Sequence, residues 1–150
     1  GEGSYKFENA NDKIEIAKSE ILREGEHVTI FAVGKMVAYA MEVSEKLKEK
    51  NISAEVINAR FVKPLDEKTL KKSIEKTKKV VTIEDNIEYS GFASAVDKCL
   101  TNLECNILNL GYPDEFIKHG SPADIEAKYG LDVDSITGKI IEFVGNENEE

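Results

Sequence analysis

Polar clusters stand directly after apolar runs in this chain: Gly34-Lys35, Asn58-Ala59-Arg60, Glu84-Asp85-Asn86 and Gly111-Tyr112-Pro113-Asp114, the last followed by Lys118-His119-Gly120. They offer a guanidinium that can hold an anion, carboxylates that can accept protons, and an imidazole that titrates near neutrality and can shuttle one. If the apolar runs are parallel strands, a pocket lined by Arg60, Glu84, Asp114 and His119 follows, because ligands of open α/β sheets collect at the carboxyl ends of the strands. The competing reading is more economical. Ion pairs gather at strand ends without any ligand, so Arg60 and the acids would pair with one another or with a neighbouring domain, and His119 would bond to nearby backbone in a turn. His27 precedes an apolar run and is expected at the surface.

The motifs that would settle a chemistry are missing. The turn after the first long apolar run reads Gly34-Lys35-Met36-Val37 and lacks the G-x-G-x-x-G glycines that let backbone approach a pyrophosphate. There is no G-x-x-x-x-G-K-[ST] phosphate loop, no G-x-S-x-G nucleophile elbow and no histidine pair at metal-ligand spacing. Cys99 and Cys105 match neither paired zinc-site spacing nor a secreted disulfide framework and are expected as free thiols. Ser90-Gly91-Phe92 ahead of a helix could hold an anion on free N–H groups, although a small residue there more often serves close packing.

The elements that must position these clusters alternate. Ile14 to Leu22 alternates weakly and closes at Arg23-Glu24-Gly25-Glu26, as an edge strand does. Val28 to Gly34 (VTIFAVG) is the apolar run of a strand buried on both faces. Met36, Val37, Ala40, Val43 and Leu47 then recur at helical spacing with charges opposite, and Asn51 ends that helix. Ala54 to Ala59 is a second buried strand, followed by a helix capped by Asp66 with Leu70 and Ile74 inward. Val80 to Glu84 is a third strand, with a helix marked by Phe92, Val96, Leu100 and Leu103, and Ile107 to Leu110 is a fourth. Ser121-Pro122 starts a short helix to Tyr129, stopped by Gly130, and Val133, Ile136, Ile140, Ile141 and Val144 mark a closing helix. Strands alternating with helices predict an α/β fold, a three-layer α/β/α sandwich around a mostly parallel sheet of about five strands. The boundaries expected are a linker over 1–13, one domain over 14–145 and an acidic tail over 146–150.

Composition narrows the partners. The 150 residues suit one domain. Acidic residues outnumber basic ones by 29 to 20, a net charge of -9 that repels phosphate backbones and anionic lipid, so neither nucleic acid nor membrane is an expected partner. No apolar run is long enough to span a bilayer, and the opening Gly1-Glu2-Gly3-Ser4 has no signal-peptide character. Cytoplasmic localisation is the expectation.

Four stretches in order carry a family resemblance: Glu20 to Gly25 leading into VTIFAVGKMV, Val56 to Asp66 (VINARFVKPLD), Glu84 to Val96 (EDNIEYSGFASAV) and Leu110 to Ser121 (LGYPDEFIKHGS). Over roughly residues 14 to 145 the chain resembles the C-terminal, transketolase C-terminal-like domain of the 1-deoxy-D-xylulose-5-phosphate synthase family. The resemblance implies a parent enzyme, a thiamine-diphosphate-dependent transferase that condenses pyruvate with glyceraldehyde 3-phosphate and releases carbon dioxide, toward isoprenoids and thiamine. In that family the cofactor and Mg²⁺ are held by the first domain, while the second supplies the activating glutamate and the arginines that grip phosphate. None of those motifs stands here, so the resemblance transfers no catalytic, cofactor or metal residue, and the fragment alone is expected to be inactive. The opening GEGSYKF is similar to the segment after the second domain's last turn, which implies a chain cut from a longer one. The family's third domain packs against the second and helps build a homodimer, which makes Arg60, Phe61, Tyr89, Phe92, Phe116 and His119 candidates for contacts with the missing domains. For the phenylalanines a place in the core competes with that role. Family members often carry paired glycines where Ser90-Gly91 stands, a departure that weakens the case for an anion there. The alternatives are the C-terminal domain of a 2-oxo acid dehydrogenase β subunit or of a transketolase, and a free-standing small-molecule binding module using the pocket near Arg60 and Asp114.

Overall fold

A computed structural model describes residues 18–62, 64–84, 91–113 and 120–148, of which 146–148 are described by backbone only. Five strands, β1 (Glu20–Arg23), β2 (Val28–Ala32), β3 (Ala54–Asn58), β4 (Lys79–Ile83) and β5 (Asn106–Leu110), form one sheet in the order β1-β3-β2-β4-β5. β2, β3, β4 and β5 run parallel and β1 is antiparallel to β3. The helices are α1 (Met36–Lys48), α2 (Glu67–Thr77), α3 (Phe92–Cys99), α4 (Pro122–Tyr129) and α5 (Val133–Asn148).

The period of two along β2 sorts the core into two halves. Val28, Ile30 and Ala32 point to one side, where Met36, Ala40, Val43 and Leu47 of α1 meet Ile125 of α4 and Ile136, Ile140 and Val144 of α5. Phe31 and Val33 point to the other, against Leu70 and Ile74 of α2 and Phe92 and Val96 of α3. This is the three-layer sandwich expected, and its central strand β2 is buried along its whole length because both its faces are covered. The edge strands are less covered: β1 leaves Ile21 47% exposed and β5 leaves Ile107 36% exposed.

Most boundaries fall within a residue or two of those expected, and the differences have local causes. β2 stops at Ala32 because Gly34 takes φ +65°, and its carbonyl accepts the Val37 N–H at 3.1 Å as α1 begins. β1 is confined to Glu20–Arg23, with residues 14–17 outside the described ones. α3 ends at Cys99 rather than continuing through Leu103; Leu100 is still buried, but in the turn where its N–H reaches the Val96 carbonyl. α5 runs to Asn148, so helix occupies the first three positions expected as tail.

Caps form where the sequence places them. Asp66 accepts the Thr69 N–H at 3.2 Å ahead of α2, and Ser121 accepts the Asp124 N–H at 3.2 Å ahead of α4. Asp66 also receives the Ser19 N–H at 2.8 Å and hydroxyl at 2.9 Å, which ties the entry to β1 onto the start of α2. Burial by itself would raise the Asp66 carboxyl, but these bonds from Ser19 and Thr69 outweigh it and leave it lowered. Gly25 lies so close to β3 that a Cβ there would stand 2.2 Å from the Ala54 carbonyl carbon.

Candidate functional site at the carboxyl ends of the strands

The chain enters the domain at the end of the sheet where ligands collect in such folds. Glu20 of β1 lies opposite Asn58, the last residue of β3, and the Lys18 carbonyl just before it accepts a bond from Arg60 Nη1 at 3.4 Å. Beyond β3 the Phe61 N–H bonds to the Ala59 carbonyl at 2.7 Å, a three-residue turn that holds Arg60 at φ +67°, a region unfavourable to any residue with a side chain. Arg60 N–H donates to Asn58 Oδ1 at 2.9 Å, and its exposed guanidinium lies 5.6 Å from the centre of the half-buried Phe61 ring. This places one cation over one aromatic ring at the chain's point of entry.

Glu84 is placed differently. It is buried, and its Oε1 accepts the Ala93 N–H at 2.6 Å, so its carboxylate meets the positive end of α3, whose N-cap Gly91 has no side chain to offer. The N–H at the start of α3 that could have held an outside anion is thus met by the protein's own carboxylate. Phe92 is fully buried and stacks on Phe31 at 5.4 Å between ring centres. It is a core residue, which corrects its candidacy for a pocket or domain contact; an apolar helix start next to β2 is drawn inward by burial. Asp114, His119, Tyr89 and Phe116 lie outside the described residues. Of the expected pocket the structure therefore places Arg60 at the surface and Glu84 inside the fold.

A cluster that the sequence reading passed over lies at the same end. Glu126 on α4, only 7% exposed, accepts the Tyr39 hydroxyl at 2.6 Å from α1 and pairs with the Lys35 ammonium at 3.5 Å. The bond to Glu126, then burial and the charge of Glu126, push the Tyr39 hydroxyl up to about 12. Tyr112, following β5, packs edge-on against Tyr129 at 5.6 Å and adds to that rise. No local spacing announces this cluster, because Tyr39 and Glu126 are separated by 87 residues.

A second buried network lies beneath α2, near the amino ends of the strands. Thr29 Oγ1 is 2.6 Å from Ser73 Oγ and 2.7 Å from Thr77 Oγ1, and the neighbouring Glu55 accepts the Gly25 N–H at 3.0 Å and the Lys76 ammonium at 2.6 Å. Burial acts to raise the Glu55 carboxyl; Lys76, Gly25 and Ser73 together outweigh it and hold it low. Burial pushes both free thiols, Cys99 and Cys105, up, which favours their protonated form. Among the described residues no group of three His, Cys, Asp or Glu side chains is placed to hold a metal ion, and no helix is long and apolar enough to cross a membrane.

An open, mostly parallel sheet of this order with an antiparallel edge strand defines an α/β domain. The chain belongs to the transketolase C-terminal domain family, whose sequence pattern matches residues 17–136. Curated relatives include the 1-deoxy-D-xylulose-5-phosphate synthase of Desulforudis audaxviator (strain MP104C), 44% identical over 124 residues covering 81% of this chain and 20% of the relative. The synthase of Dehalococcoides mccartyi (strain BAV1) is 37% identical over 153 residues, covering 99% of this chain and 24% of the relative. The chain thus spans about a fifth to a quarter of the length of these relatives. Among solved structures it resembles a chain described as a split-gene transketolase, inactive β4 tetramer, with a TM-score of 0.78 and 29% identity over 95% of this chain and 47% of that one. The transketolase of Campylobacter jejuni shares the fold, with a TM-score of 0.58 and 18% identity over 85% of this chain and 19% of that one.

Proposed function

We propose that this chain is the C-terminal assembly domain of a cytoplasmic, homodimeric 1-deoxy-D-xylulose-5-phosphate synthase, and that it is inactive alone. The parent condenses pyruvate with glyceraldehyde 3-phosphate, with loss of carbon dioxide, on thiamine diphosphate and Mg²⁺ held by the preceding domains. Bound there, the cofactor supplies the carbanion chemistry. Residues 1–13 serve as the connection to those domains. The role of this domain is to present a fixed surface to them.

The observation that carries the reading is that the chain enters at the carboxyl end of the sheet, beside Arg60 and Phe61, while the buried carboxylates of that end are engaged inside the fold. The described residues do not fit thiamine diphosphate. The Ala93 N–H at the start of α3 already bonds to the Glu84 carboxylate, and among the described residues no acidic cluster is placed for Mg²⁺. Arg60, Phe61, Tyr89, Phe116, Asp114 and His119 are the proposed contacts with the preceding domains.

The test compares this chain with its N-terminally extended form, both given thiamine diphosphate, Mg²⁺, pyruvate and glyceraldehyde 3-phosphate. Release of carbon dioxide by the extended form only is the expected result. Turnover by the 150-residue chain alone would overturn the assignment of the chemistry to the preceding domains. An inert extended form would instead favour another thiamine enzyme of the same fold.

A further inference from the structure

The two edges of the sheet are built differently. β1 is four residues long, carries Glu20 and Arg23, and has an irregular register between Ile21 and Arg23. Short length, charge and irregularity are the devices that stop strands from pairing edge to edge. β5 has none of them: its five residues, Asn106-Ile107-Leu108-Asn109-Leu110, include no charge and no proline, and they pair with β4 in unbroken register. Ile107 is 36% exposed, Asn109 is exposed and Leu108 half-buried, and among the described residues no strand lies outside β5.

Backbone direction shows what that edge offers. The Asn106 N–H donates to the Lys78 carbonyl at 3.0 Å, and the Leu110 carbonyl accepts the Glu84 N–H at 3.1 Å. Since residues facing a given neighbour alternate along a strand, 106, 108 and 110 face β4, and the N–H and C=O groups of Ile107 and Asn109 point to the open side.

We propose that a second copy of this chain docks on the outer edge of β5, antiparallel, about a two-fold axis at Leu108, joining the two sheets into one. The outward groups sit symmetrically about Leu108, so Ile107 and the partner's Asn109 exchange N–H and C=O in both directions, and the two-fold repeats the pair. On the α1 side Leu108 meets the partner's Leu108, and on the α2 side Ile107 lies beside the partner's Asn109. Charge selects the same occupant. Two copies of net charge -9 approach with least repulsion along an uncharged edge, and a strongly charged partner finds no counter-charge in β5. The inference rests on the homodimer of the proposed function and names its surface.

Sedimentation velocity of the 150-residue chain over a wide concentration range tests it. A reversible dimer is expected, with Ile107→Lys raising its dissociation constant at least about tenfold, by placing like charges across the edge, and Ile21→Lys on β1 leaving it unchanged. Register is tested by Leu108→Cys with Cys99 and Cys105 changed to serine. Antiparallel partners that are not hydrogen-bonded to each other stand about 4.5 Å apart at Cα, inside the range a disulfide spans, so mild oxidation should give a covalent dimer. A chain that stays monomeric and does not cross-link, or a dimer indifferent to Ile107→Lys, would overturn the proposal. So would loss of carbon dioxide release by the extended chain on Ile107→Lys with its dimer intact, which would seat the preceding domains on this edge. An extended chain inert before any substitution refutes the parent reaction and leaves the mass measurement standing.

Discussion

The Tyr39 hydroxyl reaches across from α1 to the buried carboxylate of Glu126 on α4 at 2.6 Å, and Lys35, at the start of α1, closes on the same carboxylate at 3.5 Å. One acid therefore holds the turn after β2 to the helix that follows β5. α4 is only eight residues long, too short to be stable by itself, so its position depends on such contacts and on Ile125 in the core.

Removing the phenol by Tyr39→Phe leaves Glu126 with one donor fewer, and a loss of about 1–3 kcal/mol at neutral pH is expected for a buried charged acceptor. The pH dependence is more diagnostic. Below pH 10 both folded and unfolded chains hold the Tyr39 proton; between 10 and about 12 only the folded chain does. The unfolded state then binds fewer protons, so stability falls as pH rises through that window. Urea unfolding at pH 8 and at pH 11 should show the wild-type advantage over Tyr39→Phe shrinking at the higher pH. An advantage equal at both values would separate the raised hydroxyl from stability.

Lys76→Met addresses the network under α2. Glu55 is 3% exposed and keeps its charge there only with the help of Lys76, Gly25 and Ser73. Because the Lys76 side chain is 35% exposed, solvent screens the pair and the expected loss at pH 7 is about 1–2 kcal/mol. The Glu55 carboxyl is lowered in the folded state, so its contribution is complete above the ordinary carboxyl range and is lost as pH falls through the lowered value. In the variant Glu55 has less to lose on protonation. The difference between wild type and Lys76→Met should therefore be largest near pH 7 and shrink as pH falls below the ordinary carboxyl range, as read by urea midpoints; a difference that grows in acid would refute the pairing as its cause.

What the sequence made legible follows from how each feature is encoded. The buried strands and α1 were visible because Val28 to Ala32 is apolar without a break and because Met36, Ala40, Val43 and Leu47 repeat with the helical turn. Asp66 and Ser121 were visible because capping is a local code. The end of α3 was not: Leu100 and Leu103 continue the apolar pattern, yet the chain turns at Leu100, since burial is served equally well by a turn. Glu84 read as a site residue because a carboxylate after a strand looks the same whether it meets a ligand or the helix behind it. Tyr39, Glu126, Glu55 and Lys76 were missed because their pairings join distant segments, and no spacing within either segment encodes them.

Arg60 joins the fold to the proposed role of the domain. Its φ of +67° suits glycine, and a side chain held there stores about 1 kcal/mol or more. Arg60→Gly removes that strain, along with the bond to the Lys18 carbonyl and the contact with Phe61. Glycine also widens the unfolded ensemble, so the net gain for the isolated chain should be modest, about 0.5–1 kcal/mol, or about 1–4 °C in melting temperature for a domain of this size. If the guanidinium meets the preceding domains, the same substitution should lower carbon dioxide release by the extended chain several-fold, so that stability of the part and activity of the whole move in opposite directions. Melting the isolated chain and assaying the extended one, each with and without Arg60→Gly, reads both. Raised stability with unchanged activity would return Arg60 to an ordinary surface residue and remove it from the proposed contact.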